Sequence, residues 1–306
     1  MAYSRYRRKP RRSYRKSGPK RRSSARPSRY TGRTRRYTRK RPMSKRSILN
    51  TASRKKRNGM LTWSNTKADG TTQTIGQRPV YVNAVSGGTF VFSPTCLNLD
   101  NASLIRNPAA RTAGTCYAKG FSEHLRIQTS SGIPWFHRRI CITSRGQSAF
   151  GFDQGGSTQV YAPYVSTSSG MERLFLNAAV NNQVPTTSAQ FALLFKGAEN
   201  QDWNDPILAP VDTTRVDLKF DKTWTLQSGN NNGVVRERKL WHPMNKNIVY
   251  DDDEIGELEG TSYFSTSSKQ GMGDYYVIDI IRAGEGGGTT DLLRLDANST
   301  YYWHEK

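Results

Sequence analysis

The chain has 306 residues, with 47 Lys and Arg against 24 Asp and Glu, for a net charge of +23. The excess is confined to one end: residues 1–57 hold 25 of the basic side chains and no acid, which leaves 22 basic and 24 acidic residues in 58–306. All 11 Phe and all 6 Trp lie beyond residue 57, which excludes a packed core from the first segment and assigns it to the remaining 249 residues.

The first segment reads as a disordered arm, residues 1–57, for binding nucleic acid. Like charges at this density repel one another until a polyanion neutralises them, and each phosphate engaged releases a condensed counterion. The expected phosphate contacts are Arg5, Arg7, Arg8, Lys9, Arg11, Arg12, Arg15, Lys16, Lys20, Arg21, Arg22, Arg26, Arg29, Arg33, Arg35, Arg36, Arg39, Lys40 and Arg41. Arginine predominates, which suits bidentate phosphate contacts, and the interleaved Tyr6 and Tyr14 can stack on unpaired bases. Lys45, Arg46, Arg54, Lys55, Lys56 and Arg57 form a second expectation, a nuclear-import signal of clustered basic residues. The N-terminus has no apolar run of the secretory kind, and Pro10, Pro19 and Pro27 oppose the amphipathic helix of a transit peptide. No stretch approaches the length and hydrophobicity of a membrane span.

Beyond the arm, strand patterns dominate. Asn58-Gly59 is a turn signal, and "MLTWSNT" after it alternates Leu61, Trp63 and Asn65 against Met60, Thr62 and Ser64, so the folded part is expected to open at residue 58. "TFVFSPT" is a short β-rich run stopped by Pro94. "CYAKGFSEHLRIQTSSG" and "IPWFHRRICITS", separated by Ser130-Ser131-Gly132, are expected to be adjacent antiparallel strands. One helix is expected in "SGMERLFLNAA", which has the capping-box spacing Ser169–Glu172 and sets Met171, Leu174, Phe175 and Ala178 on one face. "AQFALLFKG" puts Ala189, Phe191, Leu193 and Phe195 on one face of a strand.

In "RVDLKFDKTWTLQSGNNNGVV", Val216, Leu218, Phe220, Trp224 and Leu226 share a face, and the Gly- and Asn-rich stretch 229–233 is expected to close a hairpin. "DYYVIDII" is apolar on both faces, like a central buried strand, and "LLRLDANSTYYW" places Leu293, Leu295, Ala297, Tyr301 and Trp303 on one side. Serial strands without regular helices between them predict an all-β fold, a single antiparallel jelly-roll β-sandwich spanning 58–306.

Motifs of catalysis are scarce. There is no phosphate-binding GxxxxGK[ST] loop, no GxSxG elbow and no HExxH. Cys96, Cys116 and Cys141 show no paired spacing, which fits reduced, partly buried thiols. His124 and His137 fall near Cys116 and Cys141 but without zinc-ligand spacing, so no metal and no cofactor is expected. The acidic run "DDDEIGELEG" fits a calcium loop at Asp251, Asp253 and Gly256 but fails at Ile255 and Ser262, and reads as a solvated loop.

The basic arm, the junction "RPMSKRSILNTASRKKRNGMLTWSNT", the segment "DWNDPILAPVDTTRVDLKFDKTWTLQSGN", then "KLWHPMNKNIVYDDDE", "GMGDYYVIDII" and the terminal "YYWHEK" closely resemble, in collinear order, the capsid proteins of genomoviruses, which have circular single-stranded DNA. The likeness is weaker across 66–200. It implies a jelly roll, a small icosahedral shell of about 60 copies in closed symmetry, an inward arm on a single-stranded DNA genome, and no enzymatic activity. Nuclear entry would bring a host import receptor as a further partner; no membrane is involved. The alternative is a cellular RNA-binding or ribosomal protein with a basic extension. Such proteins commonly carry basic patches on the folded part as well, whereas residues 58–306 are slightly acidic.

Overall fold

A computed structural model describes residues 42–100, 107–146 and 148–306 of the chain. In chain order it contains α1 (Lys45–Ala52), β1 (Arg54–Thr66), β2 (Thr72–Gln77), β3 (Val80–Asn83), β4 (Gly88–Phe92), β5 (Thr115–Thr129), β6 (Trp135–Ser144), β7 (Val165–Thr167) and β8 (Gly170–Phe175). There follow α2 (Val184–Leu194), β9 (Asp217–Leu226), β10 (Val235–Val249), β11 (Asp253–Ile255), β12 (Leu258–Gly260), β13 (Asp274–Ala283) and β14 (Leu292–Glu305).

The body is a sandwich of two antiparallel sheets. One carries β1, β14, β5 and β10 side by side, and the other β4, β13, β6 and β9. The pairing is nested: β1 with β14, β4 with β13, β5 with β10, and β6 with β9. The first half of the chain therefore runs out and the second half returns beside it in reverse order. Successive pairs of this doubled ribbon fall in alternate sheets, which is the winding of a jelly roll. β8 extends the first sheet by a parallel pairing with β1 and carries β7, while β2 and β3 pair with β1 and β14.

Side-chain alternation decides what enters the space between the sheets. On β14, Leu293, Leu295, Ala297, Tyr301 and Trp303 are buried, as their period of two predicts. On β13, every residue from Asp274 to Ile281 is buried, because both faces of this central strand are covered. The outer cover comes from the segment leading from α2 to β9. Arg138, on the outward side of β6, donates to the carbonyl oxygens of Pro206 at 2.9 Å and Ala209 at 2.7 Å and lies over the Phe195 ring.

Several expectations are corrected. The folded part does not open at residue 58: β1 begins at Arg54, paired with Glu305, and the compact unit begins at Lys45. β5 and β6 are not neighbours, and 229–233 does not close a hairpin, because β9 and β10 lie in different sheets. Both errors have one cause: a rolled ribbon pairs strands far apart in sequence, so a turn signal marks a crossing between sheets.

The expected helix and one expected strand exchange places. Residues 170–175 form β8, in which Met171 to Phe175 are all buried and 173–175 pair with β1. "AQFALLFKG" instead contributes the end of α2, which starts with Pro185 in its first turn and buries Thr186, Gln190, Phe191 and Leu194, a helical spacing.

Candidate nucleic-acid interface

Arg5 to Arg41, with Tyr6 and Tyr14, lie outside the described residues. The end of the basic run is described. Lys45 and Arg46 fall in α1, where Lys45 is exposed, and Arg54, Lys55, Lys56 and Arg57 open β1. Strand neighbours point to opposite faces, so Lys55 and Arg57 are exposed while Lys56 between them is only 4% exposed; Arg54, the first residue of the strand, is exposed as well. Its Nζ donates to the Ala110 carbonyl at 2.8 Å and the Thr112 hydroxyl at 2.7 Å, and pairs with Glu305 at 2.8 Å. Burial pushes the Glu305 carboxyl up, but hydrogen bonds from Lys56, Thr112 and Trp303 outweigh it and hold it below the ordinary range.

Lys56 therefore ties the first strand to the last. The folded chain presents a broken set of strand cations, not a run of four. Counting back by twos from Met60 through Asn58 reaches Lys56, and that periodicity is the signal by which it could have been placed inside.

A second charged group was not legible as a unit. Glu123, Arg139, Arg173 and Asp279 are fully buried between the sheets. Arg139 donates to Asp279 at 2.7 Å and to Glu123, and Arg173 reaches Glu123 at 2.7 Å and Asp279 at 2.9 Å. His137 Nε2 stands 2.8 Å from Asp279, and Arg238 donates to its Nδ1 at 2.8 Å, so the neutral ring carries its proton on Nε2. Burial pushes both carboxyls up, but the guanidiniums override it, and Asp279 falls well below the usual carboxylate range.

This layer cuts the interior in two: Phe121, Cys141, Val277 and Tyr301 belong to one apolar cluster, and Leu125, Ile281 and Ala297 to the other. Its sequence signal is a charged residue set inside an apolar strand, as Asp279 is in "DYYVIDII", because such a charge needs a buried partner.

The remaining candidate groups are closed off. All three cysteines are buried and free, and burial pushes their thiols up, Cys141 to about 12, so none is a thiolate near neutral pH. Burial lowers His242 to about 4. Among the described residues, no group of three or more His, Cys, Asp or Glu is placed to hold a metal. In the acidic run, Asp252 pairs with the buried Arg111, Nη2 to Oδ1 at 2.9 Å, and Gly256 turns the β11–β12 hairpin. A depression of about 500 Å³ beside 131–134 and 228–231 has no acid, amine, thiol or imidazole in its wall. Among known proteins, no protein-family model and no curated protein matches the chain.

Proposed function

We propose that the chain is the coat protein of a small single-stranded DNA virus, its jelly roll tiling a closed shell and its basic arm neutralising the packaged genome. What carries this reading is the combination of an eight-strand jelly roll with an acid-free basic segment running directly into its first strand. Confinement and charge explain why the two belong together. Arms of one sign gathered inside a shell repel each other, because screening reaches only about 10 Å at 0.1 M salt; a polyanion removes that cost. The fold bears no enzymatic activity in this reading.

The test is assembly. Full-length chain freed of nucleic acid at low salt should give few closed particles by light scattering and negative-stain microscopy, and single-stranded DNA or a plain polyanion should restore them. A chain starting at Lys45 keeps β1 whole and should assemble without a polyanion, whereas one starting at Asn58 loses the pairing of Arg54 to Arg57 with β14. Closed particles that form equally well from full-length chain without any polyanion would overturn the role of the arm. Absence of particles from every form under every condition would overturn the reading as a coat protein.

A further inference from the structure

The outer face of the first sheet carries an aromatic and cationic surface that the balance of charge in the sequence does not disclose. The ladder sets Tyr302 of β14 opposite Gly120 of β5, and Trp241 of β10, opposite Ser122 two residues along the same face, lays its ring diagonally across that glycine. Glycine is required there: a Cβ would stand 2.6 Å from Trp241 Cζ2. The indole therefore crosses the middle strand and meets the Tyr302 ring at 5.8 Å between centroids. Further along, Tyr117 and His304 pair at 5.9 Å. Trp241 remains 48% exposed and Tyr117 38% exposed.

Cations surround these rings. Arg57 is opposite Tyr302 and Lys55 opposite His304 in the β1–β14 ladder, and Lys239 shares the face of Trp241 two residues away. Lys119 is the β5 residue that both neighbouring ladders skip, a bulge that re-aims its exposed side chain. The acids on this face are already engaged, Glu237 by Arg126 at 2.7 Å and Asp296 by Arg294 at 2.8 Å. Among the described residues, no carboxylate forms an ion pair with Lys55, Arg57, Lys119 or Lys239.

We propose that this face binds single-stranded nucleic acid, with bases stacked on Trp241–Tyr302 and Tyr117–His304 and phosphates held by Lys55, Arg57, Lys119 and Lys239. The inference rests on the reading of the chain as a nucleic-acid packaging protein and adds a second contact, on the fold itself. A single strand is the occupant that answers both chemistries at once, since it offers free base faces and one phosphate per nucleotide, whereas a duplex hides its bases. Lys55 and Arg57 are also the last cations of the basic run, so the arm's sequence continues onto this face.

The test uses full-length chain freed of nucleic acid, with a thymidine oligonucleotide and inorganic polyphosphate as probes. Trp241→Ala with Tyr302→Ala should weaken oligonucleotide binding at about 1 M salt roughly tenfold, because stacking survives screening, and should leave polyphosphate binding unchanged. Replacing the four cations with Ala should lower the log–log salt slope for the oligonucleotide by about three, near 0.7 for each phosphate contact. Phe152→Ala, an exposed ring elsewhere, serves as the control and should change neither.

If both sets of variants bind both probes as the unaltered chain does, the face is not a nucleic-acid site, while the function of the arm stands. If neutralising the arginines of the arm costs no binding at all, the packaging reading fails instead. Variants that alter particle assembly without altering oligonucleotide affinity would make this face a contact between copies and overturn the inference.

Discussion

The two sheets of the sandwich differ in what lies against their outer faces. The second sheet is covered over β4, β13 and β6, with its edge strand β9 left largely exposed: β13 is buried on both sides, and Arg138 of β6 is held by the carbonyls of 206, 207 and 209. The first sheet is bare: β5 alternates between buried and exposed residues along most of its length, and β10 is exposed at every odd position from 235 to 247. The difference separates two uses of charge. Between the sheets the carboxylates of Glu123 and Asp279 are matched by the guanidiniums of Arg139 and Arg173, and under the cover of the second Arg138 meets Asp221, because an unmatched charge out of water is costly. On the bare face, cations without a carboxylate partner persist because water solvates them, Lys55 and Lys119 donating only to the Asn50 carbonyl and the Asn245 amide oxygen.

The largest effect that would break this contrast is loss of the buried layer. Arg139→Met leaves Glu123 and Asp279 with only Arg173 to share, and should cost about 3–5 kcal/mol in denaturant unfolding. Arg126→Ala on the bare face, where the partner is the half-exposed Glu237, should cost at most about 1 kcal/mol. Equal losses would mean that the layer is reached by water and that the two faces do not differ.

Next comes a pH dependence at the start of the covered strand. Burial pushes the Asp274 carboxyl up to about 7, against hydrogen bonds from the Ser265 amide and hydroxyl that pull it down. Its folded value thus lies above its unfolded one. The native state keeps the proton between pH 4 and 7 while the unfolded chain releases it, so this group's contribution is full below about pH 4 and lost by about pH 7. Asp279 and Glu123 behave oppositely: their lowered values stabilise the fold above the ordinary carboxylate range, and this is lost in acid. Asp274→Asn should therefore gain stability relative to the unaltered chain as pH rises from 4 to 7. A constant difference over that window would place Asp274 ionised throughout.

These buried charges also show how much of the molecule was legible in its sequence. β13 and β14 could be read directly, since "DYYVIDII" is apolar on both faces and "LLRLDANSTYYW" on one, and burial follows both patterns. The exchange of helix and strand near 170–195 arose because short apolar runs satisfy both periods. Glu172, spaced for a capping box from Ser169, instead accepts the Leu61 amide at 2.6 Å, and Arg173 enters the buried layer. Tertiary partners decided those two residues, and no local pattern contains them. The candidate site was half legible for the same reason. The arm is evident from composition, but the bare face is assembled from β1, β5, β10 and β14, and only the ladder brings its rings and cations together.

A smaller effect separates two adjacent residues of one motif. Lys56→Met strands the buried Glu305 carboxylate and should cost about 2–3 kcal/mol, whereas Lys55→Met should change stability little. Nuclear entry of a fluorescent fusion supplies the converse reading. If Arg54, Lys55 and Arg57 are the presented cations, replacing those three should lower entry as much as replacing all four strand cations does. A further loss on adding Lys56 in a variant that still folds would show that the receptor reads the segment unfolded.

The smallest expected effect is the most informative about the bare face. Lys119→Ala, Lys239→Ala and Tyr117→Ser, each taken alone, remove exposed atoms that meet no carboxylate and fill no core, so each should shift the unfolding free energy by no more than about 0.5 kcal/mol. Trp241→Ala gives up a ring that is only half covered and should cost little more. Near-neutral stability matters because a side chain that the fold does not need, yet leaves as an exposed indole across a glycine, has its use outside the fold. Should Trp241→Ala instead unfold the chain at a midpoint as low as that of Arg139→Met, the indole would be part of the sandwich's own support. The contrast between a covered and a bare sheet would then reduce to a difference in residue size.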